Sequence, residues 1–149
     1  MEVAFHTGLD DRVSYTCRLL RKAVARGARV VVDGPPHELD LLDQALWTFE
    51  PQEFLPHIRW RPGASAAGAA RTPIWLVDEE VASGLPPARP SVLVHLGDRT
   101  VEEAENWERV IELVSDDEGL RSAARARWRA YEARGWRVTH HPMNPARGS

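Results

Sequence analysis

The sequence predicts an α/β domain, a Rossmann-like three-layer arrangement with a mostly parallel central sheet and helices on both faces. The first observation is that short β-rich runs alternate with helical patterns in the order βαβα over residues 3–49. The second is the near-continuous apolar run at residues 28–32, which is typical of a strand covered on both faces. A chain of 149 residues with 43% hydrophobic content is enough for one core, so we expect a single domain over residues 1–140.

The first half of the chain supplies two strand–helix pairs. A strand at residues 3–6 precedes a helix at 11–26, and Gly27 stands where a helix C-cap glycine belongs. A strand at 28–33 then precedes a helix at 36–49. The following segment, residues 61–72, is rich in Ala and Gly without periodicity, which predicts a flexible loop.

The second half supplies the remaining strands and the terminal helix. Strands are predicted at residues 73–78, 91–96 and 109–114, and an edge strand at 136–140. Thr100 with Glu103 forms a capping box that predicts a short helix. Ser115 with Glu118 forms another, so the last helix is expected to start at Asp116 and end before Gly135. Residues 141–149 are expected to form a short, disordered tail.

Composition narrows the class of protein. The formal net charge of −3 argues against a general nucleic-acid binder, although a local basic patch remains compatible with it. The single cysteine, Cys17, excludes an intramolecular disulfide. The amino terminus lacks the features of a signal peptide, and no apolar run approaches membrane-spanning length, so the expectation is a cytoplasmic protein with no membrane contact.

The sequence lacks the motifs of a nucleotide-binding or hydrolytic enzyme. The first strand–helix connection contains one glycine, Gly8, where the dinucleotide fingerprint needs three. A P-loop, a G-x-S-x-G turn and an H-E-x-x-H motif are also missing. His140 and His141 point to opposite sides of an extended strand, and Cys17 fits a buried helix position better than a nucleophile. We therefore predict no catalytic residue, no metal site and no cofactor.

The terminal helix carries an unusual combination of residues on one face. At 100° per residue, Arg121, Arg125, Trp128 and Arg129 fall within one sector, while Ala123, Ala126 and Ala130 lie roughly opposite. The arginines have no acidic partner on that face before Glu132, and holding like charges together is unfavourable. This face is either a solvated arginine surface with the tryptophan folded onto neighbouring stems, or a docking surface for an anionic partner with an apolar anchor.

A second candidate surface lies at residues 42–57. Trp47, Phe49 and Phe54 crowd the end of a helix and the connection after it, where Pro51 and Pro56 restrict the backbone. These aromatics are either lids on the core or part of a protein interface.

The two stretches together resemble the chi subunit of bacterial DNA polymerase III holoenzyme. The first shared block is LDQALW at residues 42–47 with FLPH at 54–57, and the second is RARWRAY at 125–131 with Gly135-Trp136. The similarity covers most of the chain in consistent order. Trp128 stands in place of the expected tyrosine, and Arg121 and Arg129 stand where lysines are usual, which keeps the aromatic and cationic character but changes hydrogen bonding.

The resemblance implies a non-catalytic accessory subunit of the clamp loader with a Rossmann-like fold. It implies binding of the acidic carboxy-terminal tail of single-stranded DNA-binding protein, with the tail's terminal phenylalanine beside Val114 and Trp128. Basic side chains would meet its α-carboxylate and aspartates. The residues carried over to that pocket are Val114, Arg121, Arg125, Trp128 and Arg129.

The resemblance also implies an opposite surface, with Trp47 and Phe54, that binds the psi subunit or an equivalent clamp-loader protein. Direct nucleic-acid binding is not expected. Two alternatives remain open from the residues alone. One is a nucleotide-binding α/β enzyme, and the other is a single-stranded nucleic-acid binding module in which Trp128 stacks on a base.

Overall fold

The computed structural model describes residues 2–48, 55–60, 72–78, 92–101 and 107–143. Within these ranges, seven parallel strands form one sheet in the order β3-β4-β2-β5-β6-β1-β7. The strands are β1 (Glu2–Leu9), β2 (Val30–Gly34), β3 (His57–Trp60), β4 (Ile74–Asp78), β5 (Val92–His95), β6 (Arg109–Ser115) and β7 (Arg137–Pro142). The predicted α/β class is confirmed, and every strand pairing in the described residues is parallel.

Three helices in the described residues cover the two faces of the sheet. They are α1 (Arg12–Ala25), α2 (Pro36–Thr48) and α3 (Glu118–Ala133). Helices α1 and α2 pack on one face, where Cys17, Leu20 and Leu42 join the core. Helix α3 packs on the other face through Ala124 and Tyr131. The expected three layers are therefore present.

Alternation along the strands explains why both faces are buried. In β2, Val30 and Val32 face α1 and α2, whereas Val31 faces the side of α3. All three valines are fully buried, as the continuous apolar run predicts. At the end of α1, Gly27 has φ +82°, the left-handed conformation that the predicted C-cap requires.

Several boundaries differ from those predicted. Strand β3 was not predicted, because its four residues include Arg59 and follow a proline, which leaves little alternation to read. Helix α3 begins two residues later than expected: Asp117, not Ser115, is the N-cap, and its carboxylate accepts from Leu120 N at 2.9 Å. Strand β7 extends to Pro142, so His141 and Pro142 pair with β1 and are not part of a tail.

Some predicted features lie outside the described residues. These are the 61–72 loop apart from Thr72, the short helix predicted from the Thr100–Glu103 capping box from residue 102 onward, and the last part of the tail, residues 144–149.

Candidate functional site

Helix α3 is fixed against the sheet by a buried polar face. The buried residues of this helix are Ala124, Arg127 and Tyr131. The side opposite the arginine face, with Ala123, Ala126 and Ala130, is not the buried side of the helix, since Ala126 is exposed.

Arg127 and Tyr131 converge on one carboxylate in the sheet. Glu112 of β6 is fully buried, accepts from Tyr131 Oη at 2.6 Å and from Arg127 Nε at 3.2 Å. Its Oε1 lies 3.1 Å from Arg127 Nη2 as an ion pair without hydrogen-bond alignment. Burial, followed by the Glu112 carboxylate, raises the pKa of Tyr131 above its ordinary value. The phenol therefore remains a neutral donor to Glu112.

The same helix holds the connection that follows β5. Arg127 Nη1 donates to the carbonyl of Asp98 at 3.1 Å, and Tyr131 Oη accepts from Val101 N at 3.0 Å. One turn further along α3, Arg134 Nη1 donates to the carbonyl of Val101 at 3.1 Å. Side chains of α3 thus fix residues 98–101 to the body of the domain.

His95 completes this network from the sheet side. Its Nδ1 lies 2.5 Å from Asp33 Oδ1 and its Nε2 lies 2.7 Å from the carbonyl oxygen of Arg99. Both neighbours are acceptors, so both ring nitrogens must donate, which requires the imidazolium. Burial alone lowers the pKa of His95, but the carboxylates of Glu112 and Asp33 outweigh it and raise the pKa to about 9.

Trp128 forms an apolar platform beside this buried face. Its ring is partly buried, with its centroid 5.2 Å from that of Phe5 and 6.2 Å from that of His140, which meets it edge-on. His140 is held by Thr7 Oγ1 at 2.6 Å from its Nε2. Val114 is only 1% exposed and belongs to the core cluster against which Trp128 packs, so it does not line the surface of the platform.

The three arginines around Trp128 differ in how far acidic side chains neutralise them. Arg121 pairs with Asp116 at 3.2 Å and with Glu118 at 2.8 Å. Arg125 is 59% exposed and reaches Glu118 only at 3.5 Å. Arg129 is exposed and makes no hydrogen bond or ion pair with any residue that the structure describes. The expectation of an unpaired arginine face was wrong for Arg121, because the first turn of α3 supplies its partners.

The second predicted surface is described only in part. Trp47, on the last turn of α2, is 59% exposed, and its ring meets His57 edge-on at 5.2 Å. His57 is fixed by the carbonyl of Leu55 at 2.7 Å and by Asp43 Oδ1 at 2.9 Å. Phe54 lies outside the described residues. Trp47 is therefore an exposed aromatic on a fixed support and not a core lid.

The histidine and cysteine side chains considered in the sequence have structural contacts that account for them. His141 Nε2 lies 3.1 Å from Thr139 Oγ1, and its ring packs 5.0 Å from His6. Among the described residues, no group of three or more His, Cys, Asp or Glu side chains is placed to hold a metal ion. Cys17 is buried, and burial, followed by the nearby Asp11 carboxylate, raises its thiol pKa to about 11.

Comparison with protein families identifies the chain. The family model described as DNA polymerase III chi subunit, HolC, matches residues 1–139. The chain belongs to the DNA polymerase III chi-subunit family. The DNA polymerase III subunit chi of Pseudomonas aeruginosa is 30% identical over 134 residues, which cover 89% of this chain and 87% of that protein. Membership in the chi family gives the chain an accessory role in replication, associated with other DNA polymerase III components and distinct from the catalytic subunit.

Comparison of the fold reaches a more distant protein. Domain 2 of the DEAD-box helicase Mss116p, solved bound to an RNA duplex, superposes with a TM-score of 0.65 at 9% identity. The match covers 97% of this chain and 64% of the helicase chain, so this chain spans less than two thirds of that structure. This likeness confirms the Rossmann-like α/β architecture of the chi-family chain. None of the described helices is long and apolar enough to cross a membrane.

Proposed function

We propose that the α3 surface, defined as Arg121, Arg125, Trp128 and Arg129, binds the acidic carboxy-terminal tail of single-stranded DNA-binding protein. The observation that carries the proposal is the apolar platform of Trp128 bordered by two exposed arginines, one of which has no partner among the described residues. A flat apolar surface beside exposed cations suits a peptide that ends in an aromatic residue and a carboxylate.

The recognition divides between burial and charge. The tail's terminal phenylalanine packs against the Trp128 ring, which Phe5 contacts from the core side. Arg125 and Arg129 bind the α-carboxylate and the preceding aspartates. Arg121 contributes less than the sequence predicted, because its ion pairs with Asp116 and Glu118 must be exchanged for those with the ligand.

The test is calorimetry or fluorescence anisotropy with a peptide ending in Asp-Phe. We expect micromolar affinity, roughly −7 to −9 kcal/mol, and a loss of about 2 kcal/mol for Trp128→Ala. Arg129→Ala should weaken binding, whereas Arg26→Ala, an exposed arginine on the opposite side of the sheet, serves as the matched control. Amidating the peptide's α-carboxylate removes that charge from the ligand without any change in the protein, so it tests carboxylate recognition separately from protein stability. If the amidated peptide binds as tightly as the free acid, carboxylate recognition at this surface is wrong.

We further propose that the chain connects this tail to the clamp loader through a second surface centred on Trp47, bound by the psi subunit or an equivalent protein. This role is supported by the exposed ring of Trp47, which packs edge-on against the His57 ring. Phe54 remains a predicted member of the surface. Trp47→Ala should abolish capture of the psi-like partner and leave tail affinity within about 0.5 kcal/mol, as expected for distant sites without shared contacts. Loss of tail binding in this variant would contradict the two-surface arrangement.

A further inference from the structure

Helix α1 exposes a second cationic surface, on the opposite face of the sheet from α3. We define the α1 basic face as Arg18, Arg21, Lys22 and Arg26, all exposed. Residues 12–32 hold six of the chain's 19 Lys and Arg residues and none of its 22 Asp and Glu residues. A net charge of −3 therefore conceals one segment in which every charge is positive.

The geometry of the helix concentrates these charges. Arg18, Lys22 and Arg26 follow one another at four-residue spacing, which places them along a single line about 12 Å long. The buried residues of α1, Thr16, Cys17 and Leu20, lie on the other side of the helix. Like charges at this spacing disfavour an isolated helix.

The structure leaves this line largely without counter-charges. Lys22 and Arg26 make no ion pair with any residue that the structure describes, and Arg18 is placed over the Tyr15 ring at 5.9 Å. On α3 the first turn supplies carboxylates to Arg121, whereas α1 has no acidic residue in its first turn and only the capping carboxylate of Asp11 before it. The line of Arg18, Lys22 and Arg26 is therefore less neutralised than Arg121 on α3.

We infer that the α1 basic face binds the phosphate backbone of duplex DNA. An unbroken row of cations fits closely spaced phosphates, and contacts with phosphates carry no information about base sequence. The aromatic at the start of this face, Tyr15, has its hydroxyl bonded to His6 Nδ1 and its ring beneath Arg18, so it is not available to stack on an unpaired base. Duplex DNA also presents the higher charge density. The inference departs from the expectation that the chain does not bind nucleic acid directly, and it uses the local basic patch that the net charge left possible.

The experiment is an anisotropy titration of the full chain with a labelled duplex of about 20 base pairs at about 0.05 M salt. The slope of log K against log salt should be about −3.6, as about four phosphate contacts predict. Lys22→Glu/Arg26→Glu should weaken duplex binding at least tenfold and reduce the size of that slope by about two. Its affinity for the Asp-Phe peptide should not change.

The matched control is Arg125→Glu/Arg129→Glu, which makes the same change in net charge on the opposite face. It should lose the peptide and retain duplex binding within about twofold, so failure of tail recognition and failure of DNA binding give different results. If the α1 double variant shows no cooperative unfolding transition by circular dichroism, Arg18→Gln/Lys22→Gln is used in its place. This variant removes two charges from exposed positions.

Three results would overturn the inference. The first is no duplex binding by the wild-type chain at low salt, and the second is an equal loss in both charge-reversed variants, which indicates a response to net charge alone. The third is a ligand that the face prefers to the duplex or does not distinguish from it. That ligand would be a single strand of equal length that binds more tightly, or polyglutamate that displaces the labelled duplex as well as unlabelled duplex does at equal charge.

Discussion

Raising the pH from 6.5 to 9 is expected to destabilise this domain, because His95 must lose a proton that the fold holds. In the native protein, its two ring nitrogens face Asp33 Oδ1 and the carbonyl of Arg99. Deprotonation leaves one of these acceptors facing a lone pair in a buried site. The unfolded chain releases the proton near pH 6.5, whereas the folded chain retains it to about pH 9. The folded state therefore binds more protons in this window, and stability falls as pH rises.

The size of the effect follows from the two pKa values. A tenfold change in proton affinity corresponds to about 1.4 kcal/mol, so the difference between 6.5 and about 9 amounts to about 3 kcal/mol. The contribution is complete below pH 6.5 and lost by pH 9. Domains of this size have total stabilities of about 5–15 kcal/mol, so the loss is a large fraction. The urea midpoint should fall by about 1–2 M across the window.

The assay is urea unfolding followed by circular dichroism at half-unit steps from pH 6.5 to 9. The series ends there because the Cys17 thiol, with its pKa raised to about 11, adds its own destabilisation at higher pH when the unfolded thiol ionises. His95→Gln should be less stable at pH 6.5 and show a flatter profile. If that variant does not fold, an NMR titration of the wild-type ring should show protonation well above pH 7. A wild-type midpoint that stays constant or rises between pH 6.5 and 9 would refute the reasoning.

Three other perturbations test the same structure. The pKa of His6 is lowered to about 4, chiefly by burial and then by the nearby His141, so stability should also fall as pH drops from 6.5 toward 4, and His6→Asn should flatten this acid limb in urea titrations. Tyr131→Phe removes a donor to Glu112 and an acceptor for Val101 N without opening a cavity; unfolding should show a loss of about 2 kcal/mol, and no loss would mean that the network is not stabilising. Trp47→Ala should change the unfolding free energy by less than about 1 kcal/mol, since the ring is 59% exposed, and a larger loss would place it in the core.

Local patterns predicted most of the architecture. Short β-rich runs located five strands and the edge strand β7, and Gly27 and Gly135 marked two helix ends with φ of 82° and 79°. These features depend on neighbours in sequence, so the sequence alone specifies them. Strand β3 was not predicted because a short edge strand is stabilised by pairing with its partner, here β4, more than by the pattern of its own four residues.

The polar core could not be predicted in the same way. An arginine on a helix is ordinarily assigned to solvent, and Arg127 is buried only because Glu112, on a different element, lies beneath it. A signal was available in the glutamate set among apolar residues of the predicted strand at 109–114. The pairing of Arg121 with the first turn of α3 was missed because Glu118 was assigned to a capping box with Ser115, which left its carboxylate out of the arginine face.

The position of β1 in the sheet has consequences for how the chain acquires its structure. This strand, which precedes the other six along the chain, pairs with β6 and β7, whose residues follow about 100 or more positions later. At 5–20 residues per second, a ribosome exposes both edges of β1 for several seconds before either neighbour exists. Such distant pairing is slow to form, and unpaired edges invite association with other chains. The amino-terminal strand therefore depends on completion of the carboxy-terminal one, and nascent chains that stop before residue 137 would leave an open edge at β1.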